Sequence, residues 1–304
     1  MGTLLDVEGL NVSFVHNGAR THVVKGTDFR LASGETLGIV GESGSGKSVT
    51  SLSLMRLLPT NAEITAKTMR MGDTDILSIP KKVLPRFRGS EISMVFQDPM
   101  TSLDPVFTIE KQITETIEAH QQVSHSQARK KALELLELVE IPNAKERISM
   151  YPFEFSGGMR QRVVIAIAIA CNPKLLIADE PTTALDVTVQ AQIIALFKKI
   201  QREIGMSIIF ITHDLGVIWE TCQNMMVMYN GVEVEYGSTK QIYTAPQHPY
   251  TQGFLAAQVN QAIAPGKPLQ TIDYSTFSKD ILNDPDTPML EYEPGHRYLS
   301  YTAG

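Results

Sequence analysis

The sequence predicts an α/β fold: a mostly parallel sheet covered on both faces, with antiparallel strands at the N-terminus and a helical insertion in mid-chain. Three observations predict it. Short β-type runs separated by turn signals occupy residues 4–40. Residues 109–150 follow a helical period. The second half alternates helix-like segments with short, continuously apolar strands, the pattern of strands buried on both faces.

The N-terminal runs are residues 4–7, 11–16, 23–25 and 28–31, with Asn17-Gly18 and Ser33-Gly34 as turns, and they lead into an apolar strand at 35–40. Residues 41–47 are glycine-rich, 48–58 are helix-like and stopped by Pro59, and 60–100 return to short strands and turns. Within 126–139, Ala128, Ala132, Leu135, Leu136 and Val139 fall on one helical face and are read as core. Helix is expected at 159–171 and Val187–Ile204, and buried strand at 174–178 and Ser207–Ile211. Beyond about residue 259 the periodicity fades, and Pro265, Pro268, Pro285, Pro288 and Pro294 punctuate an extension that is not expected to form a second globular domain.

Composition excludes several classes. A chain of 304 residues, 43% of them hydrophobic, exposes roughly 13,000 Å² when folded against roughly 49,000 Å² unfolded, ample for a core. The 27 Lys and Arg against 33 Asp and Glu give a net charge of −6, which offers nucleic-acid phosphates no general attraction, and no nucleic-acid partner is expected. Two distant cysteines, Cys171 and Cys222, exclude a disulfide framework and read as buried thiols. The first residues lack the basic-then-apolar order of a signal peptide, and Asp6 stands where a myristoylation motif opened by Gly2 wants Ser or Thr. No apolar run reaches the ~20 residues that cross a bilayer, so a cytoplasmic chain is expected.

Gly41-Glu42-Ser43-Gly44-Ser45-Gly46-Lys47-Ser48 fits G-x-x-x-x-G-K-[ST] after a strand and before a helix, the context that a phosphate-binding loop needs. Its glycines let successive N–H groups turn inward on phosphate oxygens, and the helix N-terminus adds partial positive charge. Lys47 can reach the β- and γ-phosphates, and the Ser48 hydroxyl can ligate Mg²⁺. Residues 175–180 form an apolar strand ending in Asp179 and Glu180, two carboxylates at a carboxyl strand end, where ligands of open α/β sheets sit. Successive side chains diverge, so two tasks are expected: Asp179 holding Mg²⁺, and Glu180 orienting and deprotonating a water. The strand Ser207–Ile211 ends in Thr212-His213-Asp214, where His213 could hydrogen-bond the γ-phosphate and that water.

Phe155-Ser156-Gly157-Gly158-Met159-Arg160-Gln161 precedes a helix. Ser156 reads as an N-cap followed by a glycine loop, and the same physics makes Ser156 and the Gly157 and Gly158 amides a second anion site. Two phosphate-binding elements in one chain suggest a head-to-tail pair, each ATP held between two chains.

Taken in this order, these segments resemble the ATP-binding subunits of ABC transporters over residues 4–257. They correspond to the Walker A motif at 41–48, the Q-loop at Gln97, the signature motif at 155–159, Walker B at 175–180, the D-loop Ala184-Leu185-Asp186 and the switch histidine His213. Gln97-Asp98-Pro99-Met100-Thr101-Ser102-Leu103-Asp104-Pro105, the run from Phe155, residues 177–192 and His248-Pro249-Tyr250-Thr251 are similar to the oligopeptide and dipeptide importer ATPases, in particular the D-type subunit.

The resemblance implies a RecA-like P-loop NTPase core at 1–258, with a helical subdomain at about 98–162 and an extension at 259–304. It implies a Mg²⁺-dependent ATPase at the cytoplasmic membrane face, paired with a second ATPase subunit (a distinct chain or a copy), two transmembrane permease subunits and, indirectly, an extracytoplasmic solute-binding protein. Phe14 would stack on adenine, Gln97 would sense Mg²⁺ and the γ-phosphate, Asp186 would cross the dimer interface, and Ser156, Gly157 and Gly158 would serve the partner's nucleotide. The loop around Gln97 and the helical region to about Arg162 would touch the permeases.

Two departures stand out. Phe155 and Met159 replace the Leu and Gln of the general signature. Many relatives carry a cysteine-rich iron–sulfur segment after the HPYT region, whereas this chain has no cysteine after Cys222, so no iron–sulfur cluster is expected. A soluble ABC-type ATPase of nucleic-acid or translation processes is the alternative reading, although the coiled-coil insertions, tandem cassettes and basic surfaces of that class are absent. A non-hydrolysing regulatory partner is disfavoured by Glu180 and His213, and an adenylate-kinase-like transferase would leave the SGG segment and the Gln97 loop without purpose.

Overall fold

A computed structural model of the chain describes residues 2–183, 185–263, 284 and 287–301. The chain forms two compact bodies, Met1–Ser78 with Phe210–Gly304, and Ile79–Ile209.

The first body contains the N-terminal antiparallel sheet expected from the sequence. Thr3–His16 pairs with Ala19–Ala32 through the Asn17-Gly18 turn, and on its other side with Ala62–Thr65 and Thr68–Met71; Thr74–Asp75 completes the sheet. The sequence divides this first strand in two because its alternation changes phase. Leu5 and Val7 are buried, then Leu10 and Val12, and the register shifts between Val7 and Leu10 around Gly9. One extra residue in a strand moves every later side chain to the opposite face, so a continuous strand reads as two.

The second sheet of this body is built on Thr36–Val40, buried at every position. Asn224–Tyr229 lies parallel to it and returns antiparallel as Val232–Ser238. The helix Leu215–Thr221 packs directly on the buried strand, since a Cβ on Gly38 would meet Ile218 Cδ1 at 2.7 Å. The helix Lys47–Leu54 is shorter than expected: Arg56, at a φ of 50°, has left the helical region before Pro59 can act.

The C-terminal residues supply the largest difference from the sequence reading. Met289–Glu293 and His296–Leu299 form a hairpin whose second strand pairs antiparallel with Val232–Ser238. Pro288 and Pro294 flank its outer strand, whereas Pro265, Pro268 and Pro285 lie outside the described residues. Periodicity could not reveal this hairpin, because what attaches it is polar. His296 Nε2 lies 2.7 Å from Glu235 Oε1, both side chains fully buried. Arg297 pairs with buried Glu233 at 2.9 Å, donates to the Asp28 carbonyl at 2.7 Å, and covers the Tyr236 ring at 4.7 Å.

In the second body, Ile92–Val95 and Leu175–Asp179 pair in parallel, every residue of both strands buried. The helical insertion comprises Ile109–His120, His125–Leu138 and Ala144–Arg147. Thr108 caps the first helix, and Ser124 with Gln127 forms a capping box on the second. Ala128, Ala132, Leu136 and Val139 are buried as their spacing predicts, while Leu135 is half-buried. A short kinked helix, Leu84–Ser90, interrupts the stretch expected to hold strands and turns. Val187–Ile204 has the expected limits and ends in a left-handed Gly205 that donates to Gln201. Each body contains one cysteine: burial pushes the Cys222 thiol up to about 12, and Cys171, half-buried, is raised by the same cause.

Burial lifts Glu233 from 4.5 to about 7 against the opposing pull of Arg297. A carboxyl raised in the folded state contributes stability that is complete below its unfolded value and is lost as pH rises through about 7. Glu233→Gln should therefore gain stability relative to the parent as pH rises from 4.5 through about 7, by up to ~3 kcal/mol for such a shift. Thermal unfolding across that range measures it, and parallel curves for the two proteins would refute it.

Candidate functional site

In the first body, the buried strand Thr36–Val40 ends at the glycine-rich loop. Gly41 has a φ of 148°, and a Cβ there would stand 2.1 Å from the Met228 carbonyl oxygen and 2.8 Å from Ser45 Oγ. Ser45 N donates to Glu42 O at 3.2 Å, closing the curl, and Gly231 N donates to Ser45 O at 3.0 Å. Gly46, left-handed at a φ of 100°, starts the helix Lys47–Leu54. Lys47 is nearly fully buried and turns back over the loop, its Nζ donating to the Gly41 and Glu42 carbonyls at 2.8 Å each and to Ser45 Oγ at 3.4 Å. A cation that donates to backbone carbonyls can exchange them for phosphate oxygens at a gain. Ser43, Gly44 and Ser48 are exposed on the same turn.

His213 belongs to this body too. Thr212 N donates to Ile39 O, two residues before Gly41, which brings His213 to the strand end beside the loop. Asp214 then caps the helix Leu215–Thr221, accepting from the Gly216 and Val217 amides, and His213 is left exposed at the junction. Phe14 is half-buried in the N-terminal sheet, opposite Thr21 and Ala62.

The second body brings Gln97 and Glu180 together. Gln97 Nε2 donates to Glu180 Oε2 at 3.0 Å, and Thr183 Oγ1 donates to the same oxygen at 2.9 Å. Glu180 has a φ of 46°, left-handed for a residue with a side chain, directly after the buried strand and next to the nearly buried Asp179. A conformation of this kind costs on the order of 1–3 kcal/mol and is characteristic of functional positions. Thr183 was not anticipated: a threonine two residues after a proline gives no sequence signal for such a contact.

The Ser156 turn also lies in the second body. Ser156 is the N-cap of Gly157–Ile169, its Oγ accepting from Met159 N at 3.3 Å, while Ser156 and Gly157 are exposed at the helix start. Phe155 is buried, which accounts for an apolar ring where the general signature has Leu. A Cβ on Gly158 would meet Val189 Cγ1 at 2.6 Å, so the signature glycine packs against the helix that follows the Leu185-Asp186 turn. Asp186 caps that helix, accepting from Val189 N at 2.9 Å. Ala184, the first residue of that motif, lies outside the described residues.

Each body presents its own chemistry: the first a curled glycine-rich loop with a buried lysine folded over it, the second a carboxylate held by two donors at a strand end. Oxygen donors suited to a hard cation such as Mg²⁺ are present in each body, Ser48 in the first and Asp179 and the Gln97 amide in the second.

Comparison with known proteins agrees with this chemistry. Residues 24–183 match the family model described as "ABC transporter". The chain is 52% identical over 255 residues to the oligopeptide transport ATP-binding protein OppD of Bacillus subtilis, covering 84% of this chain and 71% of that one. It is 50% identical over 260 residues to the glutathione import ATP-binding protein GsiA of Salmonella choleraesuis, covering 84% of this chain and only 42% of the longer relative. Among solved structures, a dimeric ATP-binding cassette in a post-hydrolysis state with ADP and Pi superposes with a TM-score of 0.66 at 26% identity, covering 77% of this chain and 98% of that one.

Gly41→Ala should cost about 2–4 kcal/mol, because the added carbon meets backbone and cannot be relieved by rotating a side chain. Gly44→Ala meets nothing within 4 Å and should cost only ~1 kcal/mol, from its positive φ of 81°. Denaturant unfolding of both variants reads the contrast, and equal losses would contradict the close approach at Gly41.

Proposed function

This chain belongs to the ABC transporter family, and we propose that it is the ATP-hydrolysing subunit that energises import of oligopeptides, dipeptides or related small solutes. The observation that carries the catalytic assignment is the Glu180 carboxylate, held at a strand end by Gln97 and Thr183. Both hydrogen bonds fall on one oxygen, which fixes the plane of the carboxylate. The peptide cargo rests on the resemblance to OppD and GsiA, whose names give oligopeptide transport and glutathione import.

In this reading the loop formed by Gly41, Ser43, Gly44, Ser45 and Gly46 cradles the ATP phosphates with backbone amides, and Lys47 releases its carbonyl partners to hold the β- and γ-oxygens. Ser48, Asp179 and Gln97 would hold Mg²⁺, which when bound neutralises phosphate charge. Glu180 accepts a proton from the attacking water as its oxygen bonds to the γ-phosphorus, ADP leaves, and His213 donates a hydrogen bond to the oxygens of the transferred group. Phe14 stacks on adenine. Ser156, Gly157 and Gly158 serve the nucleotide of a second ATPase subunit, and Asp186 contributes at that interface.

The transporter assignment has support from the surface of the second body. Phe96, Val106, Phe107, Tyr151 and Phe153 are all exposed, and the Tyr151 and Phe153 rings stack at 5.6 Å. Exposed apolar groups of this size mark contact surfaces, and here the partner is the cytoplasmic side of the permease subunits. No described helix is long and apolar enough to cross a membrane, which fits attachment at the cytoplasmic face through such contacts. An acidic chain with relatives among importer subunits gives no reason to retain the soluble nucleic-acid or translation alternative.

Removing a positioned general base commonly costs 10²–10⁴-fold in rate. Glu180→Gln should therefore bind ATP with parental affinity while steady-state phosphate release falls by at least about 100-fold, and release at the parental rate would remove Glu180 from the mechanism. Tagging the chain and solubilising native membranes in mild detergent should recover two polytopic membrane proteins and a second ATPase subunit. Recovery from the soluble fraction alone, with nucleic acid or ribosomal proteins, would refute the transporter assignment.

A further inference from the structure

Glu42 is gripped on both sides of its Cα, through each of the two peptide groups that flank it. Its carbonyl accepts from Lys47 Nζ at 2.8 Å, and its amide donates to the Tyr250 hydroxyl at 3.1 Å. Tyr250 lies 208 residues further along the chain and is completely buried. Its ring rests on Tyr229, with centroids 4.5 Å apart, and stacks on Phe254 at 5.8 Å. Tyr229 directly follows Met228, whose carbonyl oxygen walls the loop at Gly41. The hydroxyl therefore reaches the loop from the same wall that forces its curl.

Tyr250 is itself held by a chain of buried polar contacts that ends in the C-terminal hairpin. Its amide donates to His248 Nδ1 at 3.1 Å. Burial lowers the His248 ring to about 4, so at neutral pH it is uncharged and Nδ1 accepts. The amides of Gln247 and His248 donate to the two oxygens of Glu235, at 2.8 and 3.0 Å. The first of those oxygens also meets His296 of the hairpin at 2.7 Å. A buried carboxylate with three polar partners holds the start of the helix Pro249–Ile263 at one fixed height.

We propose that Tyr250 is a positioning residue for the phosphate loop, set in place by the C-terminal hairpin through Glu235, so that the hairpin contributes to nucleotide affinity without touching nucleotide. The proposal rests on the reading of residues 41–48 as the nucleotide loop. With the Glu42 backbone fixed, the carbonyl that receives Lys47 and the amides that follow it are arranged before the phosphates arrive. Without the hydroxyl, part of the binding energy goes into ordering the loop, as expected for any preorganised site.

The test is calorimetric titration of ADP into the full-length protein, comparing the parent with Tyr250→Phe and Phe254→Leu. Tyr250→Phe keeps the ring between Tyr229 and Phe254 and removes only the hydroxyl. Its Kd for ADP should rise about 3- to 10-fold, the worth of one hydrogen bond. Amide hydrogen exchange should quicken at residues 41–47 and stay unchanged in Asn224–Tyr229, a local signature that general loosening of the core would not give. Phe254→Leu disturbs the stack while keeping the hydroxyl, and should bind ADP within twofold of the parent.

His296→Gln approaches from the hairpin end and should raise the Kd about two- to threefold, which keeps the idea testable if Tyr250→Phe fails to fold. A parent that binds ADP with Tyr250→Phe within twofold of it would overturn the proposal while leaving the nucleotide reading intact. Equal losses in Tyr250→Phe and Phe254→Leu would overturn it also, since packing would then be the cause. An unchanged Kd in His296→Gln would remove the hairpin from the path. A parent chain that binds no ADP would defeat the loop reading and this proposal together.

Discussion

The carbonyl oxygen of Met228 stands 2.1 Å from the place a Cβ would occupy on Gly41, and the first body is organised around that contact. Thr36–Val40 and Asn224–Tyr229 run parallel as neighbours, so both chains must leave the sheet at the same end. The first leaves by turning sharply against the backbone of the second, which only a residue without a side chain can do at that distance. The turn aims the following amides inward and delivers Lys47 to the start of a helix, where its charge can be satisfied by the loop it has just left. Thr212 leaves the sheet beside it, tied to Ile39, and takes His213 to the same end.

The second body solves a similar problem with side chains. Leu175–Asp179 is buried throughout, and a carboxylate emerging from such a strand must be satisfied at once or pay a large desolvation cost. Asp179 is nearly buried, and Glu180 escapes by adopting a left-handed conformation. Gln97 and Thr183 converge on the carboxylate that results. The strain and the hydrogen bonds belong together: without the donors, the left-handed residue would have little to hold it in place. On the same body, the close contact of Gly158 with Val189 links the signature helix to the Asp186 turn, so two motifs far apart in the sequence share one packing surface.

The C-terminal hairpin shows a different economy. Buried carboxylates and their hydrogen-bonded partners are poor sources of stability but good sources of specificity, because an unpaired partner is heavily penalised. Glu235 with His296 and Glu233 with Arg297 allow the hairpin one register on Val232–Ser238. A strand attached by apolar side chains alone could slide by two residues at small cost.

Much of this was legible in the residues themselves. The phosphate loop, the carboxylate strand end, the SGG turn and His213 are local patterns whose chemistry follows from residue type and spacing, and Val187–Ile204 has the limits its period predicts. Tertiary structure decided the rest. The phase change at Gly9 hid the continuity of the first strand, since alternation reports only local facing. Thr183 and Tyr250 gave no local sign of their partners, and Tyr250 meets Glu42 across 208 residues. The hairpin at Met289–Glu293 and His296–Leu299 is fixed by buried polar pairs, whose residues look in sequence like any exposed ones. Sequence by itself determined the glycine-rich loop with its lysine and the paired carboxylates on which the proposed chemistry rests, because those depend on which atoms are present and how closely they follow one another. Structure alone decided what holds those groups still, because that depends on contacts between segments whose separation along the chain conveys no information.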